Sequence, residues 1–317
     1  MSALNQFCYP IYNYAVGWFK RQTPNPLDFI APHLPVDGVV GTHKRYPQGY
    51  AFRAVDTRRS PYTEAHIVDV LAEDDPHMLE DNSLRIGVDD SEMKPGAGNR
   101  QEAADQLALA KTGSLLATWR TSGIVAGLQY FRNHVAAQSG KGAWSGVDSE
   151  PIKELRELMA AYEANNGVLP NRFLFSTAAW NTLCDNASVV DLVAYNDAKV
   201  LTPELFFKLL HMSSADDSAA PKLLKATVPV GVHRPGPEVP FSGVNALGND
   251  VWMTFVDDGQ LVGDMCGMRQ LHAGGESPVE NVESYYERAK KTTFYEVSLH
   301  RAFAVTAPSC NIRLNIS

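Results

Sequence analysis

Apolar residues recur at helical spacing in the first half of the chain. The stripe consists of Ala104, Leu107, Ala108, Leu115 and Trp119. Such spacing places all five on one face of an α-helix. Asn99 can act as the N-cap, and Glu102 can complete a capping box. The pattern predicts a helix over about residues 100–121 with Trp119 as a core anchor, and a second apolar stretch continues to Val135.

Short helices and strands follow one another in the second half. Ser149 and Pro151 suit the N-cap and first turn of a helix that ends at Gly167, and a helix from Thr177 carries Trp180 as a second core anchor. The other predicted elements are a helix from Thr202 and strands over 171–176, 225–232, 251–256 and, in one or two pieces, 294–316. Since no βαβ rhythm repeats, the pattern predicts an α+β fold.

The N-terminal part lacks such clear periods. Residues 1–40 combine dense aromatic residues with several prolines, which predicts an irregular arm that is buried on another surface. Residues 41–75 predict a long extended hairpin, with strands over 49–57 and 64–72. Its few apolar side chains cannot support an isolated two-stranded ribbon, so we expect it to lie on a partner. Arg53, Arg58 and Arg59 on this loop are candidates for ion pairs with an acidic surface of a neighbouring subunit.

An acidic stretch from Glu73 to Asp90 follows the hairpin and predicts a solvated loop. His66 and His77 lie near it, and histidine with carboxylates could hold a metal ion. Glu73 and His77 have the spacing of a helical ligand pair, but Pro76 disfavours a regular helix there. We therefore predict no metal site, although a metal-dependent hydrolase stays open as a less favoured alternative.

Composition limits the possible functions. The chain has 317 residues, which suits two modest domains with extensions, and its formal net charge of −8 argues against gripping nucleic acid. The scattered Cys8, Cys184, Cys266 and Cys310 predict free buried thiols rather than a zinc site or disulfide framework. No nucleotide-binding or nucleophile-elbow motif is present, so we expect neither a cofactor nor catalysis. Neither a signal peptide nor a membrane span is predicted, which favours the cytoplasm.

The order of these elements resembles the HK97-fold major capsid proteins of tailed bacteriophages. The most specific stretches are PNRFLFSTAAWNTLCDNASVVDLV (170–193) and LTPELFFKLLHM (201–212). YTEAHIVDVLAEDD and GNRQEAADQLALAKTGSLLATW are similar to the family's extended loop and spine helix. The resemblance implies an N-terminal arm (1–40), an extended loop (41–75), a peripheral domain with the spine helix (76–145), an apical domain (146–290) and C-terminal strands returning to the peripheral domain (291–317).

The resemblance also implies a function and its partners. The chain is expected to be a non-enzymatic shell subunit that assembles with copies of itself, as hexamers and pentamers, into an icosahedral capsid. A scaffolding protein, a portal and double-stranded DNA bound without sequence specificity would be the other partners. Assembly is expected in the host cytoplasm, with the virion capsid as final location. An encapsulin-like compartment shell is the alternative within the same fold.

Overall fold

A computed structural model of the chain describes residues 6–21, 25–46, 72–93, 100–139, 143–146, 148–194, 200–212, 220–231, 243–257, 266–273 and 281–316. The helices are α1 (Tyr9–Arg21), α2 (Pro26–Ile30), α3 (Arg100–His134), α4 (Pro151–Asn166), α5 (Thr177–Asp185), α6 (Ala187–Val193) and α7 (Pro203–Leu209). In this part of the chain, no helix combines the length and apolarity needed to cross a bilayer.

The strands are β1 (Gln6–Phe7), β2 (His33–Val36), β3 (Val40–Arg45), β4 (Glu73–Met78), β5 (Glu80–Asp89), β6 (Ala137–Ser139), β7 (Arg172–Ser176), β8 (Lys222–Ala226), β9 (Pro229–Gly231), β10 (Gly243–Asn245), β11 (Asp250–Thr254), β12 (Arg269–Ala273), β13 (Asn281–Glu287), β14 (Thr292–Ala304) and β15 (Asn311–Asn315). Most of them form two sheets. The larger has the order β1-β13-β14-β12-β2, with β5 also paired to β14, and the smaller has the order β6-β15-β11-β7-β8. The predicted α+β class is confirmed.

The long helix α3 connects two regions of the hydrophobic core. Its 35 residues span roughly 50 Å at the usual rise per residue. The first half packs with α1 and the larger sheet through residues that include Trp119. The second half packs with α2 and β11 through Ile124, Leu128 and Phe131. These contacts explain why the helix continues to His134 instead of ending near residue 121.

One glycine in α3 allows a close approach of α2. A Cβ atom at Gly127 would lie 2.6 Å from Cδ2 of Leu27. That separation is far below a normal carbon contact of about 3.5–4.0 Å. The absence of a side chain at this position therefore sets how closely α2 packs on the spine helix.

The N-terminal arm is more regular than its sequence predicts. The prediction of an irregular segment is wrong for α1, which forms over thirteen residues. Ile11 and Ala15 lie one helical turn apart and are fully buried in the core region that contains Trp119. Pro10 is compatible with this helix because first-turn residues have no intrahelical N–H partner to lose. Tertiary burial of one narrow face thus stabilises a helix that the sequence period does not reveal.

The acidic stretch after the hairpin is also more regular than predicted. The expectation of a solvated loop is wrong, because β4 and β5 occupy most of it. Strand β5 pairs antiparallel with β14 from Asp89↔Thr292 to Glu80↔Arg301. Strand β4 pairs with β3, so the base of the predicted hairpin is present. Residues 47–71 lie outside the described residues, and they include the predicted strand over 49–57 and all but the last residue of the one over 64–72.

The smaller sheet packs with α4, α5, α6 and α7 around a further core region, distinct from the two that α3 contacts. Strand β7 is buried along its whole length, as its continuous apolar run predicts. Gly167 ends α4 in the left-handed conformation with φ of 66°, and Oγ of Thr202 accepts a hydrogen bond from the Leu205 N–H at the start of α7. The predicted cap at Ser149 is wrong. Its hydroxyl donates to the carbonyls of Trp144 and Gly146 instead, and Glu150 precedes α4 without a side-chain cap.

The two sheets do not follow the chain in simple order. Of the C-terminal strands, β14 lies in the larger sheet and β15 in the smaller. Strands β12 and β13 also lie in the larger sheet, although they precede residue 291. Each sheet therefore takes strands from several of the predicted segments, and the chain crosses between the sheets more than once.

Candidate assembly surfaces

The base of the hairpin exposes an apolar pair. Val40 and Met78 are directly opposite each other in the register of β3 and β4. Their relative exposures are 74% and 71%, respectively. On the same outer face, Nζ of Lys44 lies 2.7 Å from Oδ1 of Asp74. An apolar pair in this position offers contact area to another molecule, although its size alone does not identify that molecule.

Aromatic side chains form a second exposed surface on the arm. The rings of Phe7 and Tyr9 meet edge to face with their centroids 4.6 Å apart, and Tyr12 lies 5.3 Å from Phe7. Phe7 and Tyr9 remain exposed, whereas Ile11, on the face of α1 opposite to Tyr9, is buried. The arm therefore uses one face for the subunit's own core and presents the other to its surroundings.

A third apolar surface lies on α6. Val190 and Leu192 are exposed there, and Val200, beyond the end of the helix, is exposed as well. An open pocket of about 360 Å³ adjoins them, and its lining is largely apolar: Cys184, Val189, Val190, Val193, Ala194, Val200 and Leu201. Together, the arm, the hairpin base and α6 give the subunit three separated apolar surfaces.

The structure describes the two tryptophans singled out in the sequence but not the three arginines of the loop. Arg53, Arg58 and Arg59 lie outside the described residues, so their ion pairs stay a prediction. Trp119 and Trp180 are almost fully buried, in different core regions. The Trp180 ring packs edge to face against Phe175 and Phe206, at centroid distances of 5.4 and 5.7 Å.

The proposed metal ligands do not converge in the described part of the chain. His77 lies on a strand, where a residue four positions away is about 13 Å distant, so Glu73 cannot share an ion with it. No group of three or more histidine, cysteine or acidic side chains within the described ranges is arranged to hold a metal ion. His66 lies outside those ranges.

The four cysteines carry free thiols. Burial raises the pKa of Cys8, Cys266 and Cys310, which keeps these thiols protonated at neutral pH. Cys184 is only half-buried, so the expectation that all four are buried is wrong for this residue. The raised pKa of Cys184 also has burial as its main cause.

A buried ion cluster joins the spine helix to the smaller sheet. Asp250 at the start of β11 is 1% exposed. Its Oδ2 lies 2.7 Å from Nε of Arg132 in α3 and 3.4 Å from Nε of Arg313 in β15. The Arg313 pair is ionic rather than hydrogen-bonded, because only the Arg132 contact has hydrogen-bond geometry. Sequence reasoning missed this cluster, since its members are more than 60 residues apart along the chain or look like ordinary surface residues.

A groove lies beneath the hairpin base. It has a volume of about 510 Å³ and lies between β3 and β4, the second half of α3 and the end of β14. His43 and His77 face it from the ribbon, Tyr130 and His134 from the helix, and Arg301 from β14. The groove is thus the boundary between the hairpin and the body of the subunit.

Comparisons with known proteins agree on the fold. No protein-family model matches the chain, and no curated protein matches it. A crystal structure of a phage-related protein from Bordetella bronchiseptica RB50 is 19% identical, and the match covers 98% of both chains with a TM-score of 0.72. A virus-like particle from Pyrococcus furiosus is 10% identical over 96% of this chain and 98% of that chain, with a TM-score of 0.55.

A third solved structure is a prophage protein from Escherichia coli CFT073 that is assigned as a capsid protein. It is 9% identical over 99% of this chain and 100% of its own, with a TM-score of 0.51. At such low identities, the matches establish the architecture rather than the activity. The chain has the HK97-like fold that is found in phage capsid proteins.

Proposed function

We propose that the chain is the major capsid protein of a tailed bacteriophage and assembles into an icosahedral shell. The observation that carries this proposal is the shared architecture over 98% of both chains with a phage-related protein. The exposed apolar surfaces on the arm, the hairpin base and α6 support it, because they provide separate contacts for several neighbours.

Assembly through such surfaces would be distributed over many weak contacts. Each contact would be reversible by itself, so that misplaced subunits could dissociate. The contacts act together in a closed shell, where each additional contact forms at high effective concentration. We propose that no catalytic residue takes part. Hexamers and pentamers of this chain would be the building units.

Other partners follow from the same proposal. A scaffolding protein and a portal would direct assembly, and double-stranded DNA would fill the shell without sequence-specific contacts. The formal net charge of −8 is compatible with a wall that does not bind the packaged polymer strongly. Assembly would take place in the host cytoplasm, and the virion capsid would be the final location.

Removal of the distal hairpin tests the proposal most directly. Arg45 and Glu73 are paired in the register, so Tyr46 and Ala72 can be joined through an Asn-Gly turn in place of residues 47–71. The expected outcome is a folded subunit, measured by circular dichroism, that fails to form shells in electron microscopy with a scaffolding protein supplied. A matched insertion of a short Gly-Ser segment within the deleted range controls for the manipulation itself.

Two results would contradict the proposal. If the parent chain sediments only as a monomer at high concentration with scaffold present, it is not a shell subunit. If the shortened chain forms normal shells, the hairpin is not an intersubunit element. An unfolded product would show instead that the hairpin belongs to the subunit's own core.

An encapsulin-like compartment is the second candidate, because a virus-like particle shares the fold at a TM-score of 0.55. Such a shell would assemble from this chain alone around a protein cargo. Spontaneous closed shells without scaffold, carrying protein and no DNA, would favour it over the phage capsid. Stoichiometric metal in the purified protein would instead favour the metal-dependent hydrolase.

A further inference from the structure

The two faces of the hairpin base have an unusual distribution of side chains. The outer face carries the exposed pair Val40 and Met78, whereas the inner face carries His43 and His77, each only 9% exposed. In the strand register, His77 is opposite Gly41 and His43 is opposite Asp75, which places both imidazoles on the same face. A Cβ atom at Gly41 would lie 3.2 Å from the His77 ring, so glycine leaves room for the imidazole.

The two imidazoles are buried close together with little polar compensation. Their centroids are 5.8 Å apart. Among the described residues, neither ring nitrogen of His43 nor Nδ1 of His77 has a hydrogen-bond partner. Oδ2 of Asp75 is 3.9 Å from Nε2 of His43, which is an ionic distance rather than a hydrogen bond.

Burial decides the protonation of both groups. It lowers the pKa of His43, and the repulsion from His77 and Arg45 adds to this effect, while Asp75 opposes it. Burial also lowers the pKa of His77, despite a hydrogen bond to the Gly38 backbone that acts in the opposite direction. Both imidazoles are therefore neutral in the docked ribbon at pH 7.

The remaining charges around the groove are of both signs. Strands β3, β4, β5 and β14 and helix α3 contribute the titratable groups Arg45, Asp75, Glu80, Arg301, Tyr130 and His134. Two arginines and two carboxylates oppose each other in this set. The surroundings therefore do not supply a net negative charge that would stabilise two imidazolium ions.

We infer that His43 and His77 form an acid-sensitive latch, which holds the base of the hairpin on the subunit body when neutral and releases it when protonated. Two positive charges at 5.8 Å on side chains that are only 9% exposed would repel each other and favour fuller exposure to water. Release would free the ribbon to change its angle relative to α3 and β14. The latch operates within one subunit and does not require the proposed shell.

The direction of the pH effect follows from proton linkage. When the hairpin base lies on the subunit body (the docked state), the pKa values of His43 and His77 are lowered. When it is released, both imidazoles have ordinary pKa values near 6.5. Docking is therefore most stable above about pH 6.5 and weakens as the pH falls below it, because the released state binds more protons. Between pH 7.5 and 5.5, each histidine could raise the ratio of released to docked ribbon by at most about tenfold, and the pair by at most about a hundredfold.

Hydrogen exchange of the full chain measures this release. After correction for intrinsic exchange rates, amide protection in β3 and β4 is expected to fall from pH 7.5 to 5.5, by at most about a hundredfold. His77→Leu should reduce this fall to at most about tenfold, and a variant that also carries His43→Gln should abolish it. His211→Asn is the matched control, because this exposed histidine follows α7, where its neighbours Leu210 and Met212 belong to a different core cluster, and it already has a positive φ of 59°.

Three results would overturn the latch. They are pH-independent protection in the parent, an undiminished fall in the double variant, and an equal loss in β7 and β11, which would indicate global acid unfolding. If the variants do not fold, an NMR titration of the parent decides the question. The latch requires the pKa of both imidazoles to lie below the usual histidine value of about 6.5, and an ordinary pKa for either one excludes it.

Discussion

Asp250→Asn tests the joint between the spine helix and the smaller sheet. The substitution preserves the shape of the side chain but removes its charge. Arg132 and Arg313 would then face each other across a site without an anion, and the amide group could not replace both ionic contacts. We expect a folded but clearly less stable protein.

The size of the effect follows from burial. Removing one partner of a buried ion pair costs about 3–5 kcal/mol, because the other charge is left uncompensated. Both arginines retain some solvent contact, and Arg313 also lies over the Trp252 ring at 5.6 Å and donates to the Arg132 carbonyl. Because these contacts would partly compensate the two arginines, we expect a loss of stability at the lower end of this range, about 3 kcal/mol. For a chain of 317 residues, that corresponds to a Tm decrease of roughly 4–5 °C.

Urea unfolding monitored by tryptophan fluorescence would measure the change in the free energy of unfolding. Glu150→Gln is a suitable control, because the Glu150–Lys153 pair is solvent-exposed and should contribute less than about 0.5 kcal/mol. A double-mutant cycle with Arg132→Met would isolate the coupling between Asp250 and the helix. A loss below about 0.5 kcal/mol for Asp250→Asn would refute the assignment of this cluster as a structural joint.

Three further predictions concern packing and assembly. Trp180→Ala should cost about 3–5 kcal/mol and yield insoluble or protease-sensitive protein; an unchanged melting curve would show that the ring is not a core anchor. Gly127→Ala should destabilise the folded protein by about 1–3 kcal/mol, because the new Cβ would lie 2.6 Å from a leucine of α2. The control Gly113→Ala, whose Cβ would lie 3.3 Å from the nearest atom, should leave the protein equally or more stable in the same thermal melt. The double change Arg58→Glu and Arg59→Glu should impair shell formation most at low salt and least near 1 M salt, where the Debye length is about 3 Å. Assembly that does not depend on salt in light scattering would argue against ion pairing. Lysine at both positions is the control that preserves the charge.

Local sequence signals predicted many of the element boundaries in the second half of the chain. The Thr202 cap, the Gly167 stop and the buried run of β7 depend on residues within one turn or one strand. Such features form for reasons that neighbouring residues already contain. The order of these elements was also sufficient to indicate the HK97-like fold.

Tertiary contacts decided the elements that the sequence left irregular or interrupted. Helix α1 is stabilised by the burial of Ile11 and Ala15, and α3 continues past residue 121 because Ile124 and Leu128 face a second core region. Strand β5 is acidic but finds a full partner in β14, more than 200 residues later. In each case, the stabilising partner is distant in sequence, so local periodicity alone could not reveal it.

The candidate functional features divide in the same way. The sequence by itself indicated an extended hairpin that needs a partner, because its residues include too few apolar side chains for a core. Only the tertiary structure placed His43 and His77 together beneath that hairpin and Asp250 between two arginines from different elements. The reason is physical. The burial of a charge and the proximity of two side chains depend on strand register and on packing between sheets, and both bring residues together whatever their separation along the chain.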